Sequence, residues 1–142
     1  MKTASLIAAA LAAASLASPT LAAGDATQGK DDFKRCRACH AIVAPDGATI
    51  EKGGKVGPNL YAIIDRVAGS LEGFAYSDSL KLLGAKGLVW TEADIATYLT
   101  DPLAFARTRL EDSKAKTKMT FKVTDGSEAD LAAYLASVVP AP

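Results

Sequence analysis

Cys36, Cys39 and His40, in the stretch CRACH, are every cysteine and the only histidine of a 142-residue chain. Two thiols three residues apart, followed at once by an imidazole, could serve a redox dithiol, a structural disulfide, a zinc site or the covalent attachment of a haem. A thioredoxin-type dithiol belongs at a strand-to-helix turn of an α/β domain, and no such strand pattern is present. A disulfide closing so short a loop constrains little of the unfolded chain and leaves His40 without a role. Tetrahedral zinc needs four ligands, whereas the supply of Cys and His stops at three, crowded into five residues. Haem attachment uses all three groups: each thiol adds to one vinyl group of the porphyrin, and the adjoining imidazole is placed under the iron as an axial ligand.

The other axial position follows by elimination. There is no second histidine, and of the two methionines Met1 falls in the leader, so Met119 is the remaining soft donor. It stands in AKTKMTF, among lysines and threonines and off any helical stripe, which suits a ligand loop better than a core.

These groups need elements to carry them. Asp25 with Gln28 caps a first helix on which Ala26, Gly29, Phe33 and Cys36 share a face, so this helix delivers the chain into CRACH. Gly29 inside it costs up to about 1 kcal/mol relative to alanine, a cost offset if another backbone crosses there. Thr91 and Asp94 open a second strongly periodic segment, with Ile95, Tyr98 and Leu99 on one stripe, which stops at Asp101-Pro102. Ser127 and Asp130 form a capping-box pattern ahead of Leu131, Tyr134, Leu135 and Val138. Short helices are expected at Leu60 to Ile64 and Ser77 to Leu83. VAPDGATIEKGGKVGPN and RVAGSLEGFAYSDS read as loops, no strand is convincing, and the fold class is all-α.

Residues 1–23 read as a cleaved signal peptide: Lys2, an alanine-rich apolar run, then small residues around Pro19, with cleavage after Ala22 or Ala23. The run is shorter than the roughly 20 residues of a membrane-spanning helix, so no stable membrane insertion is expected. Residues 24–142 form one domain by length, with 15 basic against 16 acidic residues, a balance that does not suggest nucleic acid. Export implies the periplasm, and a monomer is expected.

Over the mature chain the sequence resembles class I cytochromes c, and most closely the bacterial cytochrome c2 group. The matches run in order: CRACH, GPNL at Gly57 to Leu60, Arg66, GFAYSDS at Gly73 to Ser79, Trp90, Tyr98-Leu99, TKM at Thr117 to Met119, and LAAYL at Leu131 to Leu135. The resemblance implies N- and C-terminal helices crossing through Gly29, Phe33, Leu131 and Tyr134, with loops wrapped around one haem c whose iron lies between His40 and Met119. It further implies that the carbonyl of Pro58 accepts from the free nitrogen of His40. Tyr98 would point toward the Met119 sulfur, and Tyr76, Trp90 and Arg66 would sit near the haem propionates. Leu80 stands where many relatives carry an amide. APDGATIEKGG and ARTRLEDSKAK are extra length relative to the shortest members.

The function so implied is that of a periplasmic one-electron carrier and not an enzyme. It would take electrons from a cytochrome bc complex and pass them to a photosynthetic reaction centre, a terminal oxidase or a reductase. Lys114, Lys116, Lys118 and Lys122, with Lys52, Lys55 and Arg37, would steer docking onto acidic partners, while Asp25, Asp31 and Asp32 leave the first helix partly acidic. A haem sensor or weak peroxidase that opens the iron by releasing Met119 is the alternative.

Overall fold

The computed structural model describes residues 24–138, so the signal-peptide expectation for residues 1–23 lies outside the described residues. Helix α1 spans Ala26–Asp32, and the Asp25 carboxylate caps it by accepting from the amides of Thr27 and Gln28. A 3-10 helix, Phe33–Ala38, continues it into the attachment motif. Helices α2 (Asp78–Ala85), α3 (Glu92–Thr100), α4 (Pro102–Leu110) and α5 (Glu128–Ser137) follow. Among the described residues no helix is long and apolar enough to cross a membrane.

The crossing of α1 and α5 answers the question posed by Gly29. A Cβ added there would lie 1.9 Å from the Asp130 carbonyl oxygen and 2.9 Å from Tyr134 Cβ. The two helices therefore approach backbone to backbone, which only glycine permits. Phe33 and Tyr134 extend the contact edge to face at 5.6 Å, and Phe33, Leu131 and Leu135 are buried. From the other end Asp130 accepts from the Asp25 amide at 2.7 Å.

Three expectations need correction, and a fourth holds with an addition. A two-stranded antiparallel hairpin, β1 (Ile42–Val43) and β2 (Thr49–Glu51), occupies a stretch expected to be loop. It turns at Asp46-Gly47, where Gly47 has φ +89°, a conformation glycine adopts without steric cost. Leu60 to Ile64 is a pair of turns and not a helix, because Ala62 adopts φ 50°. Asp101-Pro102 ends α3 but also starts α4: the Asp101 carboxylate accepts from Leu103 and Ala104, and Pro102 occupies the first turn. Finally, Ser127 makes no side-chain cap; its hydroxyl donates to Asp125 at 2.6 Å and accepts from Arg35.

That last arrangement joins the residue preceding Cys36 to the entrance of α5. Arg35 pairs with Asp125 at 2.5 Å and with Asp32 at 2.9 Å. The Ser127 hydroxyl and the Arg35 guanidinium together hold the Asp125 carboxyl down at about 2. Because the folded value is depressed, the stabilisation is complete above the ordinary value of 3.8 and is lost as pH falls toward 2. Denaturant midpoints measured between pH 5 and pH 2 are thus expected to fall less steeply in Asp125→Asn than in the wild type, with the two curves converging at the acid end.

Candidate functional site

Cys36, Cys39, His40 and Met119 all line one cavity of about 420 Å³, within the roughly 300–1,000 Å³ typical of cofactor pockets. Its walls are largely apolar: Phe33 comes from the 3-10 helix, Leu60 and Ile63 from the turns after GPNL, Trp90 from the approach to α3, Ile95 and Leu99 from α3, and Leu131 and Leu135 from α5. Cys36 is half-buried and Cys39 exposed, so the motif runs from inside the cavity to its mouth. Burial pushes the Cys36 thiol up to about 11. Among the described residues no group of three or more His, Cys, Asp or Glu is placed to hold a metal ion.

His40 is fixed in tautomer and in angle. Its Nδ1 lies 2.8 Å from the Pro58 carbonyl oxygen, which can only accept, so Nδ1 carries the proton and Nε2 keeps its lone pair. Burial lowers the imidazole below its usual value, against the opposing pull of the carbonyl, so the ring is held neutral. Gly57, the residue before Pro58, sets the angle. A Cβ there would meet the imidazole carbons and nitrogens at 2.4 to 2.7 Å, so the ring lies flat against the Gly57 backbone. Gly57→Ala is therefore expected to tilt the ring and to cost about 1–3 kcal/mol, the usual range for overpacking. The check is a shift of the imidazole resonances in the ferric protein together with a lowered denaturant midpoint.

Met119 sits on a loop that is pinned at both ends. The Lys116 amide donates to the Ser79 hydroxyl at 2.9 Å, the Val123 amide donates to the Leu99 carbonyl at 2.9 Å, and Ala115 and Val123 are buried anchors. Between them the Thr117 hydroxyl donates to the Met119 carbonyl at 3.0 Å, and the Lys118 ammonium donates to the Ala75 carbonyl across the cavity mouth.

Tyr76, Trp90, Tyr98 and Pro58 line the same cavity. Tyr98 packs edge to face on Trp90 at 5.2 Å and on Phe105 at 5.5 Å, and burial pushes its hydroxyl up to about 12. Trp90 is held by the Asp65 and Arg66 backbones. Arg66 is not a lining residue: its guanidinium donates to the Asn59 and Tyr61 carbonyls and braces the turn that carries Leu60. Leu80 contributes another apolar wall.

A narrow apolar cavity that offers an imidazole nitrogen, a thioether and two thiols inside an all-α fold with crossed terminal helices defines a mono-haem c-type cytochrome of class I. Comparison with known proteins agrees. No family model matches the chain, but it is 56% identical over 117 residues to cytochrome c2 of Rhodobacter capsulatus, covering 82% of this chain and 85% of that protein. It is 49% identical over 119 residues to cytochrome c-550 of Paracoccus pantotrophus, covering 82% and 88%. The solved structure of the Rhodobacter capsulatus protein superposes with a TM-score of 0.79 over 81% of this chain and 98% of that one. Ferric cytochrome c-550 of Paracoccus versutus gives 0.78 at 47% identity, over 81% and 98%. The chain belongs to the cytochrome c2 family. Members carry one covalently attached haem c, and Cys36 and Cys39 fit its attachment motif.

Proposed function

We propose that the protein is a soluble periplasmic one-electron carrier whose haem iron is ligated by His40 Nε2 and the Met119 sulfur. The reading is carried by one observation: His40 and Met119, the sole imidazole and the sole described thioether, share one apolar cavity with both attachment cysteines. A haem c supplies the redox couple, with iron alternating between ferrous and ferric states. The chain's own part would be to hold the iron through His40 and Met119, leaving no place there for a substrate, and to exclude water. Pro58 keeps Nδ1 protonated, Gly57 fixes the ring, and the two anchors of the methionine loop hold the sulfur toward the cavity. A soft thioether and an apolar surround both favour the ferrous state and raise the potential.

Removal of residues 1–23 and export precede this role. Gly24 supports such a boundary, since it already packs on the Ala129 backbone. Partners are membrane electron-transfer complexes: a cytochrome bc complex as donor, and a reaction centre, oxidase or reductase as acceptor. They would meet the cavity mouth, where Val56 and Phe121 are exposed beside Cys39 and Lys118. Lys52, Lys55, Lys114 and Lys116 are exposed as steering charges, whereas Lys122 pairs with Asp101 at 2.6 Å and Arg37 pairs with Glu51.

Carbon monoxide added to the reduced holoprotein at neutral pH tests the carrier reading. Weak or absent binding is expected of a six-coordinate iron. Ready binding would favour the sensor or peroxidase alternative, in which Met119 leaves the metal.

A further inference from the structure

Glu51 is the most deeply buried charged residue described, at 3% exposure, and it lies at the end of the hairpin that the sequence shows only as extra length. Removing a carboxylate from water costs several kcal/mol unless its oxygens are well partnered. Both are. Oε1 accepts from the Tyr134 hydroxyl of α5 at 2.8 Å, and Oε2 pairs with the guanidinium of Arg37. Arg37 stands between the two attachment cysteines, and its Nε is buried with no hydrogen-bond partner among the described residues. Glu51 thus holds the guanidinium with its Nε shielded, although the Arg37 side chain remains 40% exposed.

The chain leaving Glu51 then lies directly on the attachment turn. The Gly54 amide donates to the Arg37 carbonyl at 2.8 Å, and the Gly57 amide donates to the Cys39 carbonyl at 2.8 Å. A Cβ at Gly53 would sit 1.8 Å from the His40 carbonyl oxygen, and one at Gly54 would sit 2.5 Å from that of Ala38. Fixing register is the best-attested use of a buried ion pair. We infer that Glu51 is a positioning residue for the haem-attachment turn: through Arg37 and Tyr134 it clamps that turn between the hairpin and α5, and so sets the seat of the His40 ring on Gly57. The inference rests on His40 as axial ligand, which the wild-type ferric spectrum tests by itself.

The experiment uses the ferrous holoprotein, following amide hydrogen exchange by NMR in Glu51→Gln. Loss of a hydrogen-bonded charge should speed exchange at Gly54 and Gly57 by about tenfold, while amides of α3 around Leu99 stay close to wild type. Arg37→Gln should reproduce the effect, the double variant should add little to either single one, and Glu51→Asp should restore most of it. In the ferric form the imidazole resonances should move in Glu51→Gln and return in Glu51→Asp. Uniform acceleration across α3 and the attachment turn, or unmoved imidazole resonances, would overturn the inference by reducing Glu51 to general support. Should Glu51→Gln fail to accumulate, Tyr134→Phe removes only the hydroxyl. Faster exchange confined to the same two glycines then supports the clamp, and unchanged exchange there overturns it.

Discussion

Met119→Ala is expected to abolish the far-red iron–sulfur charge-transfer band, lower the reduction potential and open the reduced iron to carbon monoxide. The thioether is a soft neutral donor, so its contribution is larger to ferrous than to ferric iron. No other described side chain can replace it in kind: besides His40 and the two cysteines, the polar groups lining the cavity are the hydroxyls of Tyr76, Ser77, Tyr98 and Thr120, the Trp90 indole, Arg35 and Lys118, and none is a thioether. If the lost preference is on the order of 10–100-fold, as for weaker perturbations of metal ligation, the potential falls by roughly 60–120 mV. The fold should survive, because the loop keeps its anchors at Ala115, Lys116 and Val123. An intact far-red band in this variant would remove Met119 from the iron.

Gly29→Ala separates two effects of opposite sign. Helix propensity alone makes alanine better than glycine in a helix interior by about 1 kcal/mol. The crossing makes it worse, since the new methyl would lie 1.9 Å from the Asp130 carbonyl oxygen, a backbone atom that cannot rotate away. The helices must part or shift, and overpacking of this kind costs about 1–3 kcal/mol or more. The crossing should win, with a net loss of about 2 kcal/mol in denaturant unfolding. Phe33, Leu131 and Leu135 line the cavity as well as the crossing, so the potential should fall with the stability as water gains access. Gly47→Ala is the matched control: nothing lies within 4 Å of its added Cβ, and its φ of +89° limits the cost to local strain of about 1 kcal/mol. Greater stability in Gly29→Ala would show that the helices do not cross at that residue.

The groups that line the cavity were legible because the chemistry left so few candidates. Cysteine, histidine and methionine are scarce in the chain, and the CRACH spacing is set by the porphyrin and not by the fold. Gly29 was legible for a related reason, since a costly residue at a fixed helical phase demands a neighbour. Other features depended on partners distant in sequence. Pro102 carries two messages, the end of one helix and the start of the next, and the second depends on the Asp101 carboxylate accepting from Leu103 and Ala104. The hairpin escaped because β1 is two residues long and shows no alternation, although Asp46-Gly47 is a turn signal. Gly57 and Glu51 act through His40, Arg37 and Tyr134, contacts that no local pattern encodes. Ser127 had the right spacing for a cap but found a stronger partner in Asp125.

Iron K-edge X-ray absorption of the ferric holoprotein tests the central claim most directly. With His40 and Met119 as axial ligands, the first shell contains one sulfur and five nitrogens, four from the porphyrin and one from the imidazole. A first shell with no sulfur, or one with only five ligands, would contradict a closed His/Met carrier and return the cavity to an open-iron function.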